Sequence, residues 1–583
     1  MNTQKMQKVT GKLGLLPEKV VYLPKNQRDM RKWMTLVGLL MLLQLPMAAA
    51  DFETATEAVA NMKVGWNLGN TLDANNSGLT GSETSQYETC WGQPVTPPEL
   101  FKVLKDAGFN AMRIPVTWYQ HLDSNDNIDE AWMARVEEVV NYVLAQDMYC
   151  IINVHHDTGT EGWLMATTTN FSTMNARFVK IWQQVAERFK NYDEHLLFES
   201  YNEMLDEYDS WCFASFATPS RYDATVAANA YKAINDYAQN FVNTVRATGG
   251  NNANRNLIVN TYAACCGEGS WNQHLTDPLK EMKLPDDQVE NHLIFEVHSY
   301  PTVTNLTETR RSVDDIITKL KTHLVAKGAP VIFGEWGTST EAAYTNYRNN
   351  MAEFAKFFVQ KTKAAGIGTF YWMGLIDGMD RLKLKWSQPE IKNAILKGWY
   401  GDDYVIPANP MERELAYQAT YTYQWSEMSL YSGDALKTSD YKGIRVVLAE
   451  KPENNTLSLK VYGASDGKEQ YESMTEAEQT FTFNSTSLGN SIRRITLQYK
   501  LTGNYTIGIK DAYLIKADGT EVEGKIGNFH GCNIEVQITP TDINTVVRHD
   551  QTTESPLYNL KGQRVREPQG GIYIRNGKKY IYK

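Results

Sequence analysis

The feature that most restricts the fold is a repeat of short apolar runs, each ending in polar residues and separated from the next by a helix-length stretch. The runs read Met62–Gly69 (MKVGWNLG), Ala111–Val116 (AMRIPV), Tyr149–His155 (YCIINVH), Leu196–Glu203 (LLFESYNE), Asn256–Tyr262 (NLIVNTY), Leu293–Tyr300 (LIFEVHSY), Pro330–Gly337 (PVIFGEWG) and Gly368–Gly374 (GTFYWMG). Strands apolar on both faces and alternating with helices pair in parallel. Eight such units predict an α/β fold of the (β/α)8 TIM-barrel type within residues 51–410. The connecting segments carry helix signals. Thr96-Pro97-Pro98-Glu99 predicts a helix start with Thr96 as cap, Pro97 in the first position and Glu99 closing a capping box, and Gly108 predicts its stop. Phe171–Lys190 reads as a longer amphipathic helix capped by Ser172 or Thr173.

After about residue 410 the period changes. Ile444/Val446/Leu448, Leu457/Leu459/Val461, Ile495/Leu497/Tyr499 and Tyr505/Ile507/Ile509 alternate strictly, with turn signals at 452–455, 502–504 and 517–519. This predicts an all-β sandwich, jelly-roll-like, over 420–540. It resembles a carbohydrate-binding module, with Trp425, Tyr431 and Tyr441 as candidate platforms. A Ser/Thr/Asp-rich linker follows, and 541–583 ends in a short β tail that resembles the sorting or anchoring tails of exported bacterial proteins, or else is a plain terminal hairpin. At the other end, 1–50 reads as an extension plus export signal. Met30-Arg31-Lys32-Trp33 is its basic region, Met34 to Leu45 its apolar region, and Met47-Ala48-Ala49-Ala50 its cleavage site before Asp51. The apolar stretch is too short for a membrane span. The expected location is secreted or on the outer cell surface. Six cysteines (Cys90, Cys150, Cys212, Cys265, Cys266 and Cys532) permit disulfides without defining pairs.

In a barrel of this kind the active site sits at the C-terminal ends of the strands. Those ends carry Asn70, Arg113, His155, His156, Asn202, Glu203, His298, Tyr300, Glu335 and Trp372. Two acids, Glu203 and Glu335, stand in aromatic surroundings where a carboxylate is costly without partners. A pair of acids is what glycosidic-bond cleavage needs: one protonates the leaving oxygen, the other attacks or activates water. Arg113, a charge in an apolar strand, is expected to pair with a carboxylate and to ionise Glu335. His155 and His156 point to opposite faces if the strand continues. His298 and Tyr300 share a face, with Tyr300 expected near Glu335. Asn202 is placed to bond a sugar 2-hydroxyl, and the Trp372 indole to stack on a pyranose ring. No metal-ligand spacing appears, and no metal or cofactor is expected. A metal-hydrolase barrel would place a His-x-His pair on the first strand, where this chain has Asn and Gly.

Taken in order, GWNLGNTLD (65–73), MRIPVTW (112–118), NVHHD (153–157), NE (202–203), HSY (298–300), GEWG (334–337) and YW (371–372) resemble the family 5 glycoside hydrolases, the cellulase family. The resemblance spans about residues 55–405. It implies a retaining double displacement with Glu203 as acid/base and Glu335 as nucleophile. It also implies sugar-binding support from Arg113, His155 or His156, Asn202, His298, Tyr300 and Trp372, with Asn70 further out in the cleft. One departure is the sequence after Trp372, where many relatives carry Asp or Asn; Asp377 or Asp380 is expected to take those contacts. The expected activity is a secreted endo-β-1,4-glucanase acting on cellulose, mixed-linkage glucan or xyloglucan. The alternatives are an endo-mannanase or xylanase on the same scaffold, or a non-catalytic glycan-binding surface protein. An open cleft with Trp163 and Trp271 predicts endo action, and a blocked end exo action. The net charge of −10 argues against nucleic acid or anionic membranes as partners. Aromatic content of 11%, including 14 Trp and 32 Tyr, suits a glycan partner better than core building alone. A monomer is expected, with surface attachment through the C-terminal tail left open.

Overall fold

Eight parallel strands close into a barrel in sequence order: β1 (Val64–Asn67), β2 (Ala111–Ile114), β3 (Tyr149–Asn153), β4 (Leu196–Glu199), β5 (Leu257–Cys265), β6 (Leu293–Ser299), β7 (Val331–Trp336) and β8 (Gly368–Tyr371), with β8 pairing back on β1. The computed structural model describes residues 52–159, 162–216, 222–338, 341–372, 378–465 and 467–539, with short strand segments nearer both termini. The export-signal pattern at 30–50, Asp377 and the linker after 540 lie outside the described residues. Among the described residues, no helix is long and apolar enough to cross a membrane.

The barrel interior is layered by the period of two along each strand. Ala111, Ile151, Leu197, Ile258, Ile294, Ile332 and Phe370 form an apolar floor, closed from below by Ala58, Val59 and Met62 of the helix Ala55–Met62. That helix starts in a capping box: Thr54 accepts from the Glu57 N–H while Glu57 accepts from the Thr54 N–H. Gly65 is obligatory in the floor, because a Cβ there would lie 2.2 Å from the Phe370 ring. Two residues further along the strands stand Asn67, Arg113, Asn153, Glu199, Asn260, Glu296, Gly334 and Trp372, a layer of entirely different chemistry.

Two helix starts differ from the sequence expectation. The first helix after β1 that follows the Thr-Pro-Pro motif runs Glu99–Ala107, with Pro98 in the cap position and no side-chain cap bond. Pro98 already has helical φ/ψ (−61°, −28°), which leaves Thr96 outside the helix. The Thr96 N–H instead donates to Glu88 (2.7 Å), a carboxylate also gripped by Arg135. The longer helix runs Thr168–Phe189 and is capped by Thr167, whose hydroxyl accepts from the Asn170 N–H at 3.0 Å. Ser172 and Thr173 lie inside it, their hydroxyls bonding back to the Thr169 carbonyl. Gly108 ends the shorter helix as expected, at φ +123°.

Beyond the barrel, two antiparallel sheets face each other. One has the order Glu478–Thr482, Tyr441–Leu448, Tyr505–Lys516, Glu414–Tyr421, Cys532–Thr539, and the other Glu427–Lys437, Ser491–Tyr499, Leu457–Gly463, Glu469–Ser473. Ile444, Val446, Leu448, Leu457, Leu459, Val461, Ile495, Leu497, Ile507 and Ile509 fill the space between them. The barrel meets this domain through Lys383–Glu523 (2.7 Å) and its own Glu99–Arg413 pair (2.9 Å) at the junction. All six cysteines are free thiols.

The bottom of the barrel contains a buried cation, Arg255, that has no carboxylate partner among the described residues. Arg255 donates to the carbonyls of Tyr192 and Asp193 (2.8 Å each), Leu196 and Phe189, and to the Asn252 side chain. It satisfies the C-terminal carbonyls of one helix and the turn into β4. Replacing it by Met orphans several of these acceptors and is expected to cost about 3 kcal/mol. The Arg255→Met protein should therefore melt roughly 4 °C lower, with unchanged specific activity in the folded fraction; an unchanged midpoint in differential scanning calorimetry would refute the assignment.

Candidate active site

The polar layer is organised by Arg113, which rises from β2 and is fully buried. Its Nε and Nη2 donate to both oxygens of Glu199 (2.6 and 2.8 Å), Nη2 also to Asn202 Oδ1 (2.9 Å), and Nη1 to Glu335 Oε1 (2.8 Å) and Asn67 Oδ1 (3.1 Å). All five N–H bonds are thus used. The expected contact with Glu335 is present but single, whereas Glu199 takes the two-pronged one. Glu199 is further held by the Asn153 side-chain N–H (2.9 Å). Burial opposes the guanidinium charge, yet the neighbouring acids, Glu199 foremost, raise it well above the usual arginine range.

Above this layer, Glu335 on β7 is ringed by donors. The Tyr300 hydroxyl donates to Oε2 at 2.6 Å, and His298 Nδ1 lies 3.6 Å from the same oxygen. Burial alone would raise its carboxyl, but the His298 and Arg113 charges and the Tyr300 hydrogen bond outweigh it, holding the group below the usual value of 4.5. His155 Nε2 stands 3.9 Å from Oε1. Burial, with neighbouring cations, keeps His155 neutral. Its Nδ1 accepts from Asn153 at 3.0 Å, which puts the proton on Nε2, facing Glu335. Tyr300 is itself raised well above 10, first by burial and then by the Glu335 charge, so it remains a donor.

Glu203 lies four residues beyond the end of β4, not on the strand, and is the more exposed acid: 24% of its side chain against 7% for Glu335. Its Oε1 is 2.7 Å from His298 Nδ1. Burial would lower His298, but the Glu335 charge and the bonds to Glu203 and Glu296 raise it to about 10, so the imidazole is cationic. One carboxylate oxygen each from Glu203 and Glu335 and a His298 nitrogen lie within 4.8 Å of one another.

The rim is built from loops. Strand β3 stops at Asn153, so strict alternation no longer governs the two histidines. His155 turns inward, while the half-exposed His156 faces Asp73 (3.7 Å) and Trp91 (ring centroids 5.2 Å). Asp73 raises His156 despite burial. The same carboxylate accepts the Asn70 N–H (3.0 Å), fixing Asn70 at φ +58° beside the histidine. The Trp372 ring lies parallel to His155 (5.9 Å, 1°) over Gly69, where a Cβ would lie 2.5 Å from the indole. Asn202 is buried beside Arg113, its N–H on the Val154 carbonyl. Trp163 is tied down by its N–H to Asp157 (2.7 Å), whereas Trp271 is 59% exposed and packs on Phe213 and Phe216. Asp380 serves a hairpin turn, accepting the Lys383 N–H.

Sequence reasoning missed Glu199, Glu296, Asn67 and Asn153. The signal was there: Glu199 and Glu296 sit inside the runs LLFES and LIFEV, where an acid has to find a buried partner.

The family model for cellulase (glycosyl hydrolase family 5) matches residues 72–375. Among solved structures, the chain is 54% identical to a GH5-4 broad specificity endoglucanase from an uncultured bacterium, with a TM-score of 0.59 over 60% of this chain and 97% of that one. It is 42% identical, at a TM-score of 0.54 over 60% and 99%, to a family 5 enzyme of Prevotella bryantii B14 solved with a xyloglucan tetradecasaccharide. Endoglucanase A of Clostridium longisporum is 32% identical over 61% of this chain and 68% of its own length. With the eight-stranded barrel and the paired acids at its mouth, these matches show that the chain belongs to the cellulase family, glycosyl hydrolase family 5.

Proposed function

We propose that the chain is an endo-β-1,4-glucanase that cleaves cellulose, mixed-linkage glucan or xyloglucan with retention, Glu335 being the nucleophile and Glu203 the acid/base. The observation that carries this reading is that one oxygen of Glu203 and one of Glu335 lie within 4.8 Å of each other, bridged by His298, on the short side of the two known spacings. Double displacement needs carboxyl groups about 5–5.5 Å apart, whereas inversion needs about 6.5–9.5 Å to admit a water. Relatives named endoglucanase and structures named endoglucanase or lichenase support the β-glucan class.

In the first step an ionised Glu335 oxygen attacks the anomeric carbon while Glu203 gives its proton to the departing glycosidic oxygen. A glycosyl ester on Glu335 and a shortened chain result. In the second step Glu203 takes a proton from water, whose oxygen attacks the same carbon and frees Glu335. The Tyr300 and Arg113 donors keep Glu335 ionised before attack and steady it as it leaves. Asn202 is assigned to the sugar 2-hydroxyl and the Trp372 indole to the ring face. Exposed Trp271 and half-buried Trp163 are assigned to the cleft walls, which favours endo action. A polymer cannot enter a cell, so this reading accords with the export pattern at residues 30–50.

Reducing-sugar release from carboxymethylcellulose, β-glucan, xyloglucan, glucomannan and xylan is the decisive assay. The wild type is expected to release sugar from the glucans, and Glu335→Gln to lose roughly 10³-fold or more in kcat. Preference for glucomannan or xylan would move the reading to the mannanase or xylanase alternative. Binding without hydrolysis by either protein would make the barrel a glycan-holding scaffold.

A second prediction concerns pH. Glu335 is held below 4.5, so the acid limb of kcat/KM should fall below that pH. Tyr300→Phe removes one hydrogen bond to the ionised form, worth about 1.5 kcal/mol, and should move that limb up by about one pH unit. An unmoved limb would show that Tyr300 does not stabilise the charged nucleophile.

A further inference from the structure

A third carboxyl group lies beneath His298, and the two-glutamate mechanism does not use it. Glu296 stands two residues before His298 on β6 and is completely buried. Its Oε1 is 3.2 Å from His298 Nε2 and 3.3 Å from Arg113 Nε. The single Nε hydrogen of Arg113 is directed to Glu199 at 2.6 Å, and the other four serve Glu199, Asn202, Asn67 and Glu335. Glu296 is therefore close to the guanidinium without receiving a hydrogen from it, and His298 is its remaining donor. Its Oε2 is buried with no hydrogen-bond partner among the described residues.

The backbone is shaped to admit this group. Gly334 immediately precedes Glu335, and a Cβ on it would lie 1.5 Å from Glu296 Oε1. The carboxyl is thus wedged between its own strand and that of the nucleophile. An ionised carboxylate accepts at several sites. With one donor, no water-facing surface and the Glu199 carboxylate alongside, the neutral acid is the favoured form.

We propose that Glu296 is a positioning residue for the acid/base: as an uncharged carboxyl it accepts the His298 Nε2 proton and so holds the imidazole with its Nδ1 proton on Glu203. This rests on the reading of Glu203 and Glu335 as the catalytic pair. The charged and titratable groups that face Glu296 are Glu199 from β4, Arg113 from β2 and His298 from its own strand, with Glu203 and Glu335 one step away through the imidazole. Burial, then the Glu199 charge, pushes Glu296 up to about 8 against Arg113 and His298. Its folded value thus lies above the unfolded one of 4.5, so between these two pH values the folded chain binds more protons here than the unfolded chain. Stability is lost from this group as pH rises across that window.

Two variants of the full chain, Glu296→Gln and Glu296→Leu, test the proposal through kcat, KM and melting midpoints measured from about pH 4 to about pH 9.5, a range that brackets the titration between 4.5 and about 8. Glu296→Gln keeps a neutral acceptor oxygen. It should retain kcat within about threefold near pH 6, and its midpoint should climb relative to wild type up to about pH 8 and then level off. Glu296→Leu lacks the acceptor and should lose tenfold or more in kcat, with KM within about twofold, because no sugar contact is touched. A midpoint gap between Glu296→Gln and wild type that does not vary with pH would overturn the uncharged state. A Glu296→Leu protein with wild-type kcat, or a Glu296→Gln protein as impaired as Glu296→Leu, would overturn the positioning role. Should the wild type hydrolyse no glycan, the proposed function fails, while the midpoints still report the state of Glu296.

Discussion

Everything above the apolar floor of the barrel is arranged around the Arg113 guanidinium. A cation with no solvent access is costly to bury, and attraction within the barrel repays that cost only when every donor is used well. Here each of the five N–H bonds has an acceptor, drawn from β1, β4, the loop after β4 and β7. The fork geometry of arginine is what makes this connection possible; a lysine ammonium could neither grip Glu199 with two parallel bonds nor reach Glu335 and Asn67 from the other side. The network is better understood as setting geometry than as adding stability. Apolar side chains could fill the same volume more cheaply, but they would not hold Glu335 at a fixed place with a fixed charge.

Glu203 and Glu335, the proposed acid/base and nucleophile, show how one residue type is given two environments. Glu335 is almost enclosed and surrounded by Arg113, Tyr300 and His298, and each of these contacts favours the carboxylate. Glu203 stands beyond the strand end, more open to the cleft, with the His298 contact at its back. The first environment suits a nucleophile that has to be ionised on arrival of substrate, and the second an acid that gives and takes a proton in turn. His298 is shared between them, so the charge state of that imidazole bears on both steps. A group behind it, such as Glu296, can therefore act on the proposed catalytic pair without touching the sugar.

The barrel was legible because its signal is local. Eight runs of continuous apolar character with helix-length spacers have few other folds to form, and every observed strand starts inside its run, with only β5 extending past the end of its run, to Cys265. The cap residues were less legible. Thr96 and Thr167 compete with neighbours of equal propensity, and the outcome turned on whether Pro98 adopted helical angles and on a Glu88–Arg135 pair distant in sequence. Within the site, Arg113, Glu335 and Tyr300 could be grouped from strand-end position, but Glu199 and Glu296 could not. An acid inside LLFES or LIFEV reads as an interruption of a strand until the partner is known, and the partner of Glu199 lies 86 residues away. The histidine pair shows the same limit in another form: alternation holds only as far as Asn153, where β3 ends.

The interior alternation also explains why floor and site are separable problems for this chain. On each strand the residue that fills the floor and the residue that builds the polar layer are two apart: Ala111 and Arg113, Ile151 and Asn153, Leu197 and Glu199, Ile294 and Glu296, Ile332 and Gly334. Strand register therefore fixes both layers at once, because a slip of one residue would send Arg113 and its acids to the helix-covered outside of the barrel. The large apolar burial of the floor, at about 1.5–3 kcal/mol per side chain, enforces the register. The polar layer, costly by itself, is carried into place by it. Gly334 marks the point where the two demands meet, since the position beside Glu335 gives up its side chain so that Glu296 can occupy the space.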